Sequence, residues 1–75
     1  MNQITNISVT TGEQLRVAKE QLGLSSAGLA NALRLGTGGG KTIRRWQSGE
    51  SSIPGPAQVA IELLLAVRFG ELKAA

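Results

Sequence analysis

The sequence contains no cysteine and no histidine among its 75 residues. Without cysteine, neither a disulfide-stabilised fold nor a metal site built on thiolates can form. Histidine is the commonest metal ligand and a frequent general base. Aspartate is absent as well, so five glutamates supply all the side-chain carboxylates. This inventory argues against an enzyme, and we expect no catalytic residue, no cofactor and no bound metal ion.

Long apolar segments are also missing. The longest, residues 63–67, is far shorter than the roughly 20 residues that span a bilayer. The N-terminal segment lacks the basic start and the apolar run of a signal peptide. We therefore expect a cytoplasmic protein with no membrane partner. A chain of 75 residues accommodates one domain, which we place at residues 11–75 behind an N-terminal tail or arm of residues 1–10.

Positive charge is concentrated in one segment of the chain. The formal net charge is +3, yet no acidic residue occurs between Gln21 and Gly49. A segment with charge of one sign predicts a surface for a polyanion, and the alternative is a solvated basic face with no partner. The cations of this segment are Arg34, Lys41, Arg44 and Arg45.

The periodicity of apolar residues predicts an all-α fold of four to five helices. A first helix is expected over residues 12–22, ended by Gly23, because Thr10 or Thr11 can begin a capping box with the side chain three residues later. Ser25 is a suitable N-cap for a short second helix that ends at residue 33 or 34. These caps predict a first helix that ends at Gly23 and a short second helix that begins just after Ser25.

A glycine-rich stretch, residues 36–40, predicts a flexible turn after the second helix. A third helix is expected over residues 41–48, with Ile43 and Trp46 on its buried face and Gly49 at its end. The opposite face carries polar side chains at the spacing i, i+3, i+4, i+7, namely Lys41, Arg44, Arg45 and Ser48. The third helix therefore presents a basic surface.

The fourth predicted helix runs from residue 56 or 57 to residue 69 and is apolar around nearly its whole circumference. A helix of this kind is buried on all sides, and three short helices are too few to cover it. We therefore expect a homodimer with Leu64, Val67 and Phe69 at the interface. The alternative is a protein-interaction module that uses this helix to bind another protein and has no specific DNA binding.

Several short motifs together resemble the phage-repressor and Cro-type (XRE-like) helix-turn-helix family. They are Leu22-Gly23-Leu24-Ser25, Leu29-Ala30, Leu33, Thr42-Ile43-Arg44-Arg45-Trp46, Gly49, and Ile53-Pro54-Gly55-Pro56-Ala57. The resemblance implies a repressor-like DNA-binding domain, here with a lengthened glycine-rich turn. It also implies a sequence-specific transcriptional regulator, a homodimeric repressor like those of phages and mobile elements. Its partner would be a palindromic operator in double-stranded DNA, with no small-molecule ligand.

The same resemblance assigns roles to individual residues. The residues expected to contact bases are Gly40, Lys41, Thr42, Arg44 and Arg45. The residues expected to contact phosphates are Ser25, Ser26, Ser48 and Gly49. Two positions depart from the family pattern, because Ser26 stands where glutamine is usual and Gly28 where glutamate is usual.

Overall fold

A computed structural model describes residues 8–70 of the chain. It contains four helices, α1 (Gly12–Leu22), α2 (Ser26–Ala32), α3 (Gly39–Ser48) and α4 (Gly55–Arg68). Residues 8–70 include no strand, so the all-α fold is confirmed for this part of the chain. No helix among them is long and apolar enough to cross a membrane. Residues 1–7 of the predicted tail and residues 71–75 lie outside the described residues.

The first two helices begin at the side-chain caps that the sequence contains. The Thr11 hydroxyl accepts the Gln14 N–H at 3.1 Å, and Gln14 Oε1 accepts the Thr11 N–H at 3.1 Å, so Thr11 and not Thr10 forms the capping box. Gly23 ends α1 in the left-handed conformation at φ 71°. Ser25 caps α2 by accepting the Gly28 N–H at 2.9 Å. The connection between α1 and α2 is therefore held by local hydrogen bonds.

The end of α2 lies one to two residues earlier than predicted, at Ala32. Arg34 adopts the left-handed conformation at φ 60°, and in residues 8–70 no other non-glycine residue does so. The Arg34 N–H donates to the Asn31 carbonyl at 3.0 Å and the Leu35 N–H to the Ala30 carbonyl at 3.0 Å. These two bonds are those of a Schellman motif, in which the left-handed residue is usually glycine. An L-residue in this conformation costs about 1 kcal/mol.

The start of α3 differs from the prediction, because α3 begins at Gly39 and not at Lys41. Gly39 and Gly40 therefore belong to α3 and not to the predicted turn. A Cβ on Gly39 would lie 2.8 Å from the Ala30 Cβ and 2.9 Å from the Leu35 Cβ. Only glycine allows α3 to approach α2 so closely, and this packing outweighs the low helix propensity of glycine, about 1 kcal/mol. Gly38 caps the helix at φ 80°.

One core joins all four helices. Trp46 is 6 % exposed, which confirms its predicted burial. Val9 is 1 % exposed, and its N–H donates to Glu62 Oε2 at 3.0 Å, so the last part of the predicted tail belongs to the core. The buried apolar residues are Val9, Leu15, Ala18, Leu29, Ala30, Ile43, Trp46, Ile53, Ile61 and Leu65.

The start of α1 rests directly on the end of α3. A Cβ on Gly12 would overlap the backbone carbonyl of Gln47, so the two backbones meet without an intervening side chain. Helix α1 also packs against α4, and α2 packs against α3. Helix α3 is therefore fixed between α1 and α2, which leaves its remaining side to solvent.

Helix α4 begins at Gly55, slightly before the predicted start, and is buried on one side only. Ile61 and Leu65 face the core. Val59, Leu63 and Val67 are 55 %, 48 % and 47 % exposed. The other helices of the chain cover only the Ile61 side, which agrees with the expectation that three short helices are too few to cover α4.

Candidate functional site

The solvent side of α3 carries three cationic side chains. Lys41, Arg44 and Arg45 are exposed, whereas Ile43 and Trp46 on the same helix are buried. Within residues 8–70, neither Lys41 nor Arg44 has a carboxylate oxygen within 4.0 Å. The helical spacing of the sequence thus separates the charged and apolar side chains as predicted.

Arg45 differs from its two neighbours because it has an acidic partner. Its Nε lies 3.9 Å from Glu50 Oε2, and the two side chains are 52 % and 67 % exposed. An exposed ion pair of this kind contributes between zero and about 1 kcal/mol to stability. The pair therefore contributes little to the stability of the fold.

A fourth cation, not among the predicted site residues, lies on the last turn of α1. Lys19 Nζ donates to Ser26 Oγ at 2.8 Å, a partly buried contact that joins α1 to the start of α2. Ser26 was predicted to contact phosphate, so the ammonium group stands beside a predicted site residue. The tight connection at Gly23 was the one sequence signal that these two positions are close.

Gly40, the second residue of α3, lies against the start of α2. Its ideal Cβ position lies 3.6 Å from the Ala27 Cα and 3.7 Å from Arg44 Nη1. Ala27 follows Ser26 directly, so the beginning of α2 and the guanidinium of Arg44 flank the same glycine. We call the surface formed by Lys19, Lys41, Arg44 and Arg45 the basic face.

The hydroxyl groups predicted at the site are mostly engaged with their own backbone. The Thr42 hydroxyl donates to the Gly38 carbonyl at 3.4 Å and the Ser48 hydroxyl to the Arg45 carbonyl at 3.1 Å. The Gly49 N–H donates to the Trp46 carbonyl at 3.2 Å. The donors of Thr42, Ser48 and Gly49 are therefore occupied within the chain, whereas Lys41 and Arg44 have no carboxylate partner in residues 8–70.

The solvent side of α1 has a different electrostatic character. Arg16 Nε donates to Glu13 Oε1 at 3.1 Å and Arg16 Nη1 donates to Glu20 Oε2 at 2.8 Å. The hydrogen bond from Arg16, aided by the attraction of its charge, lowers the pKa of Glu13 below its ordinary value. The same contacts raise the pKa of Arg16. The positive charge of Arg16 is thus neutralised by carboxylates of the same helix.

The predicted dimer-interface residues do not share one environment. Leu64 is half-buried and packs against the core of its own chain. Val67 and Phe69 are 47 % and 48 % exposed. Beside α4 lies an apolar groove of about 300 Å³, lined by Leu33, Leu35, Trp46, Pro54, Pro56, Ala57 and Ala60.

No model of a protein family, no curated protein and no solved structure matches this chain. The resemblance to the phage-repressor family therefore rests on short motifs within residues 22–57. Residues 8–70 also contain no group of acidic side chains placed to hold a metal ion. The basic face and the exposed side of α4 are the two surfaces that bear on function.

Proposed function

We propose that this chain is a helix-turn-helix DNA-binding regulator of transcription that reads the major groove with α3. Helices α2 and α3 with the connection at residues 33–38 form the motif. The major groove, about 12 Å wide, admits one α-helix. The resemblance adds that the regulator is a homodimeric repressor.

The basic face is the observation that carries this proposal. Three cations project from one helix, and two of them, Lys41 and Arg44, have no carboxylate partner in residues 8–70. Exposed charge of one sign raises the potential at that surface and attracts a polyanion. Nucleic acid is the polyanion whose groove matches the dimensions of a helix.

Side chains near the start of α3 are proposed to contact bases. Lys41 and Arg45 lie toward the bases, and Arg44 lies against the wall of the groove. Arginine pairs with guanine through two parallel hydrogen bonds. Gly40 has no side chain, so the backbone can approach the DNA there, and Thr42 lies next to it on the first turns of α3.

Residues at the start of α2 are proposed to hold the phosphate backbone. Ser26 Oγ accepts a hydrogen bond from Lys19, so its own hydroxyl hydrogen remains free to donate to a phosphate. Ser25 likewise accepts from Gly28 and keeps its donor. Lys19 adds a charge to the same contact. At the other end of α3, Ser48 and Gly49 are proposed to contact a phosphate by exchanging the bonds that the Ser48 hydroxyl and the Gly49 N–H make to the Arg45 and Trp46 carbonyls.

Selection of binding sites from random double-stranded DNA, at fixed salt, tests the proposal. The selected sites are expected to be palindromic, because a two-fold symmetric dimer reads two half-sites about 34 Å apart. The logarithm of the affinity should fall with the logarithm of the salt concentration by about 0.9 for each phosphate neutralised. Failure to enrich any sequence, together with no salt dependence, would contradict the proposal.

The exposed side of α4 is proposed to pair with a second copy of the chain. Val59, Leu63 and Val67 are spaced four residues apart and form one apolar stripe. Sedimentation of the wild type should give the mass of two chains of 7.8 kDa each. The double variant Leu63→Lys with Val67→Lys should sediment as one chain.

Val17→Lys is the matched control for this pair of changes, because Val17 is 36 % exposed but lies on α1. It should leave the mass unchanged. Leu64 is a poorer test, since its half-buried side chain also stabilises the single chain. A monomeric wild type that binds another protein through the α4 stripe and shows no salt-dependent DNA binding would favour the interaction-module alternative.

A further inference from the structure

The turn after α3 brings a carboxylate back beside the basic face. Gly49 adopts the left-handed conformation at φ 88°, which reverses the chain direction. The Glu50 N–H then donates to Ser48 Oγ at 3.3 Å, and the Ser51 N–H donates to the Arg45 carbonyl at 3.2 Å. These bonds hold Glu50 close to the last turn of α3.

The carboxylate approaches one particular side of Arg45. Glu50 Oε2 lies 3.9 Å from Arg45 Nε. The carboxylate therefore lies on the Nε side of the guanidinium. The two terminal amino groups can pair with the edge of a guanine.

We infer that Glu50 is a positioning residue that raises the sequence specificity of Arg45, an inference that rests on the proposed DNA-binding function. Its charge repels phosphates and lowers the affinity for DNA of any sequence, because non-specific affinity comes almost entirely from phosphate contacts. At the correct site this repulsion is offset, since the charge of Glu50 attracts the Nε side of Arg45 and favours the orientation in which the terminal amino groups meet the base. Glu50 thus increases the difference between correct and incorrect DNA.

The experiment compares Glu50→Gln with the wild type on the selected site and on a scrambled duplex of equal length. For the scrambled duplex, the salt slope should steepen by about 0.9, which corresponds to about an eightfold gain in affinity at about 0.1 M salt. The affinity for the selected site should stay within about twofold, so the ratio of the two affinities falls. Base preference at the Arg45 position, measured by repeating the selection, should relax.

Glu20→Gln is the matched control, because the Glu20 side chain is 66 % exposed and its loss changes the net charge by the same amount on α1. It should alter neither affinity. An equal gain on both duplexes with unchanged base preference would overturn the positioning role, and so would no change at all. If the wild type shows no salt-dependent binding to any DNA, the proposed function fails instead.

Discussion

Helices α1 and α3 both carry arginines on exposed surfaces, yet they arrange the surrounding charge in opposite ways. On α1, Arg16 bonds to Glu13 and Glu20 on the same helix. On α3, Lys41 and Arg44 have no carboxylate partner among residues 8–70, and Arg45 has only a distant one. Pairs within α1 support the helix itself, whereas the charge of α3 is directed outward. This difference is the reason why α3, and not α1, is proposed as the surface that meets a charged partner.

The largest expected effect is a loss of DNA affinity when the arginine on α3 is removed, compared with removal of an arginine from α1. Arg45→Ala should weaken binding to the selected DNA site by about 1–3 kcal/mol and relax the preference at one base pair. Arg16→Ala is the matched control, since it removes the same group from α1 and should leave DNA affinity unchanged. Equal losses for the two variants, measured by titration at fixed salt, would show that only net charge matters.

The position of α3 can be tested separately from its charge. Gly39→Ala should lower the free energy of unfolding by roughly 1–2 kcal/mol, because the new Cβ overlaps Ala30 and Leu35 and this overpacking exceeds the gain in helix propensity. Chemical denaturation measures the change. Binding to DNA should weaken as well, since α3 is displaced.

Gly40→Ala is the control for that change. Its new Cβ would make ordinary contacts at 3.6 Å with Ala27, so stability should be kept or should rise by up to about 1 kcal/mol. If Gly40 lies against DNA as proposed, affinity falls although the fold is intact. Unchanged affinity would remove Gly40 from the proposed interface.

A smaller effect is expected at the end of α2. Arg34→Gly should raise the free energy of unfolding by about 1 kcal/mol or less, because glycine adopts the left-handed conformation without strain. The gain is reduced because glycine loses more chain entropy on folding. The same variant removes one cation outside the basic face. A large loss of DNA affinity in this variant would show that the DNA-binding surface also includes Arg34.

The smallest effect concerns pH. The pKa of Glu13 is lowered in the folded protein, so the folded state holds fewer protons and its stability falls as the pH drops below the ordinary value of 4.5. The melting temperature of Glu13→Gln should depend less on pH than that of the wild type in this acidic range.

Binding by α3 should behave differently, because the chain has no histidine or cysteine and no side chain with an ordinary pKa between about 5 and 8. DNA affinity at fixed salt is therefore expected to be flat over that range. A DNA affinity that changes with pH over that range would contradict this prediction.

Local signals were sufficient to predict most of the helices and the exposure of the cations on α3. Caps such as Thr11 and Ser25 act within a few residues, so their effect can be read from the chain alone. The exposure of Lys41, Arg44 and Arg45 follows from helical spacing once Trp46 is assigned to the core. These features need no knowledge of how the helices pack.

The features that were missed depend on contacts between distant segments. Gly39 is helical because α2 approaches it closely, which no local propensity indicates. Val9 is buried because α4 offers Glu62 to its N–H. The Lys19–Ser26 contact requires the angle between α1 and α2. The number of apolar residues on α4 likewise could not show which side the chain itself covers.

Trp46 gives the molecule a built-in optical label. The chain contains one tryptophan and no tyrosine, so its near-ultraviolet fluorescence originates from α3. The indole is almost fully shielded from water, although Arg45 beside it is exposed. Unfolding should shift the emission to longer wavelength, and a partner on the basic face should change its intensity without any attached dye. The helix proposed to read DNA can therefore be observed directly while it binds.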